Sequence, residues 1–209
     1  MKFKKLLIIA VLSAVAFTSC KDAKQGEQAE NEKMEMQRME AEKEAEMKTN
    51  ETKMQMESNS VASKAMATPE LSTLVSAMQS AELAEMMKTQ EGPFTVFAPT
   101  NDAFAKVPKA TLDMLMLPEN KADLQKVLTY HVVNGKITSE QLVQSIKDND
   151  GTYKFVTAEG SELTAMMSGE NVVLKDENGK TATITQVDVD ASNGVVHIID
   201  SVLMKKAVK

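Results

Sequence analysis

The order of apolar and polar residues divides the chain into three stretches. Residues 6–17 form an apolar run that follows three lysines near the N-terminus. Residues 21–60 are polar and charged, and no apolar stripe persists through them. From residue 61 onwards apolar positions recur at helical spacing, and beyond Gly151 they recur with the period of two that is typical of strands. The pattern therefore predicts a single folded domain behind a polar segment and an apolar leader.

Helical signals occupy the first half of the predicted domain. Pro69 precedes an amphipathic pattern that Gly92-Pro93 ends. Thr100 offers an N-cap hydroxyl for a short helix that carries Phe104, and Thr138 to Gln141 is a capping-box pattern. Further helices are predicted over 111–117, over 119–128 and after Thr138.

Strand signals dominate the second half of the domain. Turns between the strands are marked by the dipeptides Asn134-Gly135, Glu159-Gly160, Asn178-Gly179 and Asn193-Gly194. Because helices cluster first and strands later, the fold class is predicted to be α+β rather than a regular βαβ repeat. The predicted strands are Phe94–Ala98, Tyr130–Val133, Tyr153–Thr157, Leu163–Met167, Val172–Lys175, Thr181–Val189 and Val195–Leu203.

The apolar leader ends at Cys20, the only cysteine of the chain. A twelve-residue run gives a helix of about 18 Å, too short for a hydrocarbon core of about 30 Å, so residues 1–19 are predicted to be a signal peptide. Phe17-Thr18-Ser19-Cys20 resembles the lipobox of bacterial lipoproteins, without the usual Leu at Phe17. The resemblance implies that Cys20 becomes a lipidated N-terminus that holds the protein on a membrane. An ordinary signal peptide with an incidental cysteine is the alternative.

Residues 20–60 are predicted to be a charged tether, disordered or partly helical. From residue 21 to residue 60 there are eleven Asp and Glu against seven Lys and Arg, and helix-favouring residues predominate. Glu44 and Lys48 stand in the favourable i,i+4 order. Met34, Met36 and Met39 raise the alternative of Cu(I), which prefers soft thioether ligands, but no His or Cys accompanies them.

Composition and charge exclude one class of partner. The formal net charge is -6 and the pI is near 5.1, whereas nucleic-acid binding needs a basic footprint. The chain also lacks a Gly-x-Ser-x-Gly elbow, a phosphate-binding glycine loop and a His-Glu-x-x-His motif. We therefore expect neither nucleic acid as a partner nor an enzyme.

Three blocks of the domain resemble fasciclin (FAS1) domains. Thr95-Val-Phe-Ala-Pro-Thr-Asn-Asp-Ala-Phe104 is similar to the first signature block, Tyr130-His131 to the family's Tyr-His pair, and the segment from Asn193 to Leu203 to the closing block. The resemblance spans residues 61–206 and leaves 207–209 as a tail. It implies a wedge of two twisted β-sheets flanked by short helices, a role in adhesion or extracellular binding, and no cofactor.

Few residues are candidates for a site. Tyr130 and His131 are possible interaction residues through the family resemblance, with a structural role as the alternative. His131 and His197 are the only histidines, and a metal site built on them would need a third ligand such as Asp102 or Asp200. Asp188 to Gly194 lacks the Gly and Glu positions of an EF-hand loop, so we predict a turn there and no metal site.

The sequence therefore predicts a lipid-anchored adhesion or interaction module of the cell envelope, at the outer membrane, with exposure on the cell surface as an open alternative. Its partners would be the membrane, through Cys20, and an extracellular or envelope protein or glycan. The alternative function is a periplasm-facing carrier of copper or of a small apolar ligand. The latter would sit in a pocket formed by four methionines. These are Met114, Met116, Met166 and Met167.

Overall fold

The computed structural model describes the backbone of residues 23–205 and the side chains of residues 33–205. The predicted signal peptide (1–19), Cys20 and the predicted tail (207–209) lie outside the described residues. The part of the chain that the structure describes divides between two compact units, with the boundary between Thr49 and Asn50. Within the described range, no helix has the length and apolar character needed to span a membrane.

Helix α1 (Ala23–Ser58) occupies most of the segment predicted to be a tether. Every side chain from Lys33 to Met56 is exposed, so this part of the helix presents no buried face. The expected pair forms, with the Lys48 ammonium 3.0 Å from a carboxylate oxygen of Glu44. Because both groups are solvated, the pair contributes only a few tenths of a kcal/mol, and helix-favouring residues account for most of the local preference.

Seven further helices precede or interrupt the strands. Thr100 caps α5 by accepting a hydrogen bond from the Ala103 N–H, as predicted. Thr138 and Gln141 form the complete capping box that opens α8. The helices are α2 (Val61–Ala67), α3 (Ser72–Ser80), α4 (Leu83–Thr89), α5 (Asn101–Ala105), α6 (Lys109–Leu115), α7 (Lys121–Tyr130) and α8 (Ser139–Asp148).

Seven strands form one connected sheet in the order β2-β1-β7-β6-β5-β4-β3. Strand β1 pairs with β7 in parallel, and every other neighbouring pair is antiparallel. The strands are β1 (Phe94–Pro99), β2 (Val132–Asn134), β3 (Thr152–Val156), β4 (Glu162–Ser168), β5 (Asn171–Lys175), β6 (Thr181–Ala191) and β7 (Gly194–Ile199).

The long strand β6 connects the two halves of the wedge. Its first residues, 181–183, pair with β5, whereas residues 184–191 pair with β7. Two register shifts, between Ile184 and Gln186 and between Gln186 and Val189, bend the strand at this junction. The two sheets expected from the family resemblance are therefore continuous through β6.

A hydrophobic core lies on each face of the central strands. All six residues of β1 and of β7 are buried, which is why both strands are continuous apolar runs rather than alternating ones. Val96 and Val196 belong to the core shared with helices α2, α3, α4, α5 and α7. Phe97 and Ile199 belong to the opposite core, which includes residues of α8, β3, β4 and β5.

Two predicted strands differ from the observed ones. Tyr130 is the last residue of α7 and His131 is its C-cap, so only the end of the predicted strand Tyr130–Val133 is extended. A short apolar run is compatible with a helix end and with a strand, and here Tyr130 is buried in the core as the last residue of a helix. The strand predicted over Val195–Leu203 ends at Ile199. The Asp200 N–H still donates to the Thr183 carbonyl oxygen, but the Asp200 carboxylate, instead of a backbone carbonyl, accepts the Thr183 N–H.

Candidate interaction surface

Tyr130 is fully buried at the end of α7. Its hydroxyl donates to the carbonyl oxygen of Glu162 over 3.2 Å, which ties α7 to the start of β4. Burial raises the pKa of Tyr130 to about 12, because the phenolate would be poorly solvated there. The side chain therefore stays protonated and acts within the core.

His131 is also buried, with 3% of its surface exposed. Its Nδ1–H donates to the Val127 carbonyl oxygen over 2.7 Å, and its Nε2 accepts the Leu203 N–H over 3.1 Å. Burial lowers the pKa of His131 to about 4, so the ring is neutral at physiological pH. The ring fastens the segment after β7 to the end of α7. The interaction role of Tyr130 and His131 stays a prediction, and their observed contacts are structural.

His197 occupies an equivalent bridging position on β7. It is fully buried and stacks on Phe97 with ring centroids 5.6 Å apart. Its Nε2–H donates to the Ile137 carbonyl oxygen over 2.9 Å, and its Nδ1 accepts the Asp188 N–H over 3.3 Å. Burial lowers the pKa of His197. The neutral ring thus joins β7 to the loop before α8 and to the bend in β6.

Ser139, Asp188 and His197 lie together, but their connectivity is not that of a Ser-His-Asp triad. Both the hydroxyl and the N–H of Ser139 donate to the Asp188 carboxylate, the latter over 2.9 Å. A triad needs the hydroxyl on the imidazole, and here both ring nitrogens are bound to backbone groups. Within residues 33–205 no group of three or more His, Cys, Asp or Glu side chains is placed to hold a metal ion. Asp200, a possible third ligand, instead lies 3.7 Å from the Lys106 ammonium.

The second half of β6, residues 184–191, is largely exposed and lies beside a depression in the surface. Residues 185–188 and Asp190 are exposed, and Val187 keeps 45% of its surface accessible. Since β5 pairs with β6 only as far as Thr183, β7 is the only described strand beside residues 184–191. Asp188 has a φ of 54°, a left-handed conformation that a non-glycine residue adopts at an energetic cost. We call residues 184–191 the open half of β6.

A depression of about 370 Å³ adjoins this open half, and its lining includes Lys136, Ser139, Asp188 and Asp190. The Lys136 ammonium lies 2.7 Å from a carboxylate oxygen of Asp190. Partial burial opposes ionisation of Asp188, but the two hydrogen bonds from Ser139 hold the pKa of its carboxyl below the usual value. Asp188 is therefore a fixed anion at the first turn of α8, where a negative charge is favourable.

The loop that carries Lys136 is held in place by buried contacts. The Thr95 hydroxyl donates to the Gly135 carbonyl oxygen over 2.7 Å and accepts the Ile137 N–H over 2.9 Å. His197 holds the Ile137 carbonyl oxygen from the other side. A second depression, of about 430 Å³, shares Lys136 and extends to Pro93 and Ser192. The two depressions therefore form one surface of fixed shape around Lys136.

Asn193 is a key buried residue that the sequence pattern presents only as part of a turn. Its Oδ1 accepts the Val61 N–H over 2.8 Å, and its Nδ2 donates to the carbonyl oxygens of Met87 and Gln90 over 2.9 and 3.0 Å. A single amide thus joins α2, the end of α4 and the β6–β7 turn. Next to it, a Cβ on Gly194 would lie 2.1 Å from the Phe94 carbonyl oxygen, so the parallel pairing of β1 and β7 requires glycine there.

Two other polar side chains hold backbone segments in the same way. Asn101 accepts the Thr73 N–H over 2.9 Å and donates to the Pro69 carbonyl oxygen over 3.1 Å. Asn101 thus fastens the start of α3 to the start of α5. The buried Asp176 carboxylate accepts the N–H groups of Lys180 and Met204, over 2.8 and 3.1 Å. Sequence reasoning did not identify Asp176, because its Met204 partner lies far along the chain.

The four methionines considered for a carrier pocket do not line either depression. Met114 is 55% exposed and Met167 is 36% exposed, while Met116 packs against the helical core. The carrier function therefore stays a prediction to which neither depression adds support.

Comparisons with known proteins identify similar sequences and folds. The family profile of the Fasciclin domain matches residues 69–205. The Synechocystis protein sll1483 is 49% identical over 137 residues, covering 64% of this chain and 66% of its own length. The cell surface glycolipoprotein MPT83 of Mycobacterium tuberculosis is 33% identical over 155 residues, covering 73% of this chain and 63% of its own length.

A solved structure shares the fold. A FAS1 domain pair from the insect cell adhesion molecule fasciclin I matches with a TM-score of 0.63 and 18% identity, over 70% of this chain and 51% of the insect chain. This chain therefore spans only about two thirds of the length of sll1483 and about half of the insect chain.

Proposed function

The chain belongs to the fasciclin family, and we propose that it is a lipid-anchored interaction module of the cell envelope that binds an extended protein segment along the open half of β6. The anchor would be Cys20, which follows a leader too short to span a membrane. Relatives named as cell surface glycolipoproteins support a location in the envelope.

The one-sided pairing of residues 184–191 carries the proposal. A strand edge without a neighbouring strand offers backbone N–H and C=O groups to an extended segment, which can add to the sheet as one more strand. The register shifts and the bend at Asp188 keep the edge from pairing freely with any flat strand. The open half of β6 is thus suited to a partner that matches its bend.

The charge of the surface beside the open half of β6 indicates which kind of partner it would bind. Asp188 and Glu140 face the depression beside the open half, and Asp190 already neutralises Lys136. The surface is therefore anionic, and an extended segment that carries Lys or Arg would be complementary to it.

A protein partner fits the surface better than a glycan. No aromatic side chain belongs to the open half of β6 or lines either depression, so this surface offers no ring on which the apolar face of a sugar could stack. Backbone pairing needs no aromatic ring. Affinity for one site can be weak, because many anchored copies on one cell act together.

Site-specific photo-crosslinking on living cells tests this proposal. A photoreactive amino acid replaces Val187, on the open half, or Val156 of β3, which serves as the control because it is even more exposed, at 59% against 45%. We expect a protein adduct of defined mass from position 187 and none from position 156. The adduct should disappear in Asp190→Lys, which removes the net negative charge of the surface, and in Cys20→Ala, which removes the anchor.

Other outcomes would contradict specific parts of the proposal. Equal adducts from both positions, or none from position 187, would refute the binding face. An adduct that periodate destroys would identify a glycan instead of a protein. Retention of the adduct on Cys20→Ala cells would show that the anchor is not needed for display.

A further inference from the structure

Methionines make up most of the large apolar side chains that are exposed in the part of the chain that the structure describes. Of the thirteen large apolar side chains that are exposed among the described residues, ten are methionines. Six of these lie within α1, where they are between 46% and 71% exposed. The α1 methionines are Met34, Met36, Met39, Met47, Met54 and Met56.

The α1 methionines belong to neither hydrophobic core. Burial therefore does not explain them, and Leu, Lys, Gln or Glu would serve a solvated helix equally well by helix propensity. What distinguishes methionine from those residues is its sulfur, which accepts an oxygen atom from a two-electron oxidant.

Other side chains that such oxidants attack are absent or shielded. The chain contains no Trp, and its single cysteine is Cys20, the residue we propose to be lipidated. Tyr130, His131 and His197 are buried. Four further methionines are exposed outside α1 (Met66, Met86, Met114 and Met167), so the α1 methionines supply six of the ten exposed thioethers of the described residues.

Oxidation at these positions would leave the fasciclin domain folded. A sulfoxide is polar, so it disrupts packing when it forms in a core and has little effect where the side chain is already solvated. The contrast exists within this chain, because Met78 and Met87 are buried at 5% and 8% exposure in the helical core.

We propose that the α1 methionines are oxidant-accepting side chains that consume hypohalous acid or hydrogen peroxide at the cell envelope. In each event the sulfur gains one oxygen and is oxidised from thioether to sulfoxide. Hypochlorous acid is reduced to chloride with release of a proton, and hydrogen peroxide is reduced to water. Six sites let one chain remove six equivalents of oxidant.

Stepwise oxidation of the full chain, purified in detergent, tests the chemistry. Hypochlorous acid is added from zero to six equivalents, and peptide mass spectrometry measures the sulfoxide at each methionine. We expect the α1 methionines to react at least ~10-fold faster than Met78 and Met87, which become accessible only through local opening. The thermal unfolding midpoint of the domain should not change over this range. Comparable oxidation of the buried pair, or a fall of the midpoint, would overturn the proposal.

Two matched variants test the protective role in cells. One replaces all six α1 methionines by Leu, for example Met36→Leu, which conserves volume and helix propensity. The control replaces Met78 and Met87 by Leu. At equal protein levels, the six-site variant should lose about six tenths of the fast phase of oxidant consumption, because four exposed methionines remain, and should lower the survival of cells given hypochlorous acid. The control should do neither. Equal survival of cells with wild type and the six-site variant would refute the protective role.

Discussion

Replacement of Asn193 by Ala should strongly destabilise the domain, because one side chain serves three separate backbone groups. The change removes the acceptor of the Val61 N–H and the donor to the carbonyl oxygens of Met87 and Gln90. Asn193 is buried, with 7% of its surface exposed, so water does not readily replace the lost partners. The damage should reach α2 and α4 as well as the β6–β7 turn.

The expected magnitude follows from these contacts. A hydrogen bond contributes about 1 kcal/mol net, and a buried group left without a partner costs about 1–3 kcal/mol. Some relaxation of the turn offsets part of the loss, so we expect Asn193→Ala to lower the free energy of unfolding by about 3 kcal/mol. With a urea m-value of about 2 kcal/mol/M, the unfolding midpoint would fall by about 1.5 M.

Equilibrium urea unfolding of the chain that begins after residue 20, followed by circular dichroism, measures this loss. Asn193→Asp should be worse than Asn193→Ala at neutral pH, since it places a carboxylate oxygen against two carbonyl oxygens. Asn149→Ala is the control, because it removes an exposed amide bound to the Ser145 carbonyl oxygen and should change stability by at most about 0.5 kcal/mol. A loss for Asn193→Ala no larger than that of the control would refute the reasoning.

Three further predictions concern pH, backbone packing and capping. Burial lowers the pKa of His131 from 6.5 to about 4, so the neutral ring stabilises the fold above about pH 6.5, and this stability is lost as pH falls towards 4. Urea unfolding should show that the free energy of unfolding falls by about 3 kcal/mol over this range, and that the fall is smaller in His131→Gln. Gly194→Ala should prevent stable folding, as judged by circular dichroism, because its Cβ would lie 2.1 Å from the Phe94 carbonyl oxygen. Gly169→Ala meets no neighbouring atom, and its left-handed backbone (φ 63°) should cost only about 1–2 kcal/mol. Thr138→Ala removes the capping box of α8 and should lower the thermal midpoint by the equivalent of about 1 kcal/mol, and Thr138→Ser should retain most of that stability.

Local signals were sufficient to predict much of the fold. The alternating pattern and the Gly-containing turns place β3, β4 and β5 within one residue of their observed ends. The capping box at Thr138 was predictable because its donors and acceptors lie within one helical turn. The helix end at Tyr130 was not, since the residues that cover it come from β4 and from other distant parts of the chain.

The candidate surface was less predictable than the strands that form it. The pattern predicts that residues 181–189 are a strand, but it does not show that β5 stops pairing at Thr183. Nor does composition reveal the left-handed backbone of Asp188, which depends on contacts with Ser139 and His197 from other elements. Such features arise from pairing between distant segments, and a single sequence contains no periodic signal for them.

The parallel pairing of β1 with β7 has a consequence for biogenesis. Phe94 lies opposite Gly194, so the central ladder joins residues that are separated by almost half of the chain. Contacts of such long range form late in folding, because the intervening loop must close first. If the signal peptide proposed for residues 1–19 directs export with the N-terminus first, the exported part of the chain cannot complete its central sheet until β7 has also crossed. Export of nearly the whole domain would then precede completion of the sheet.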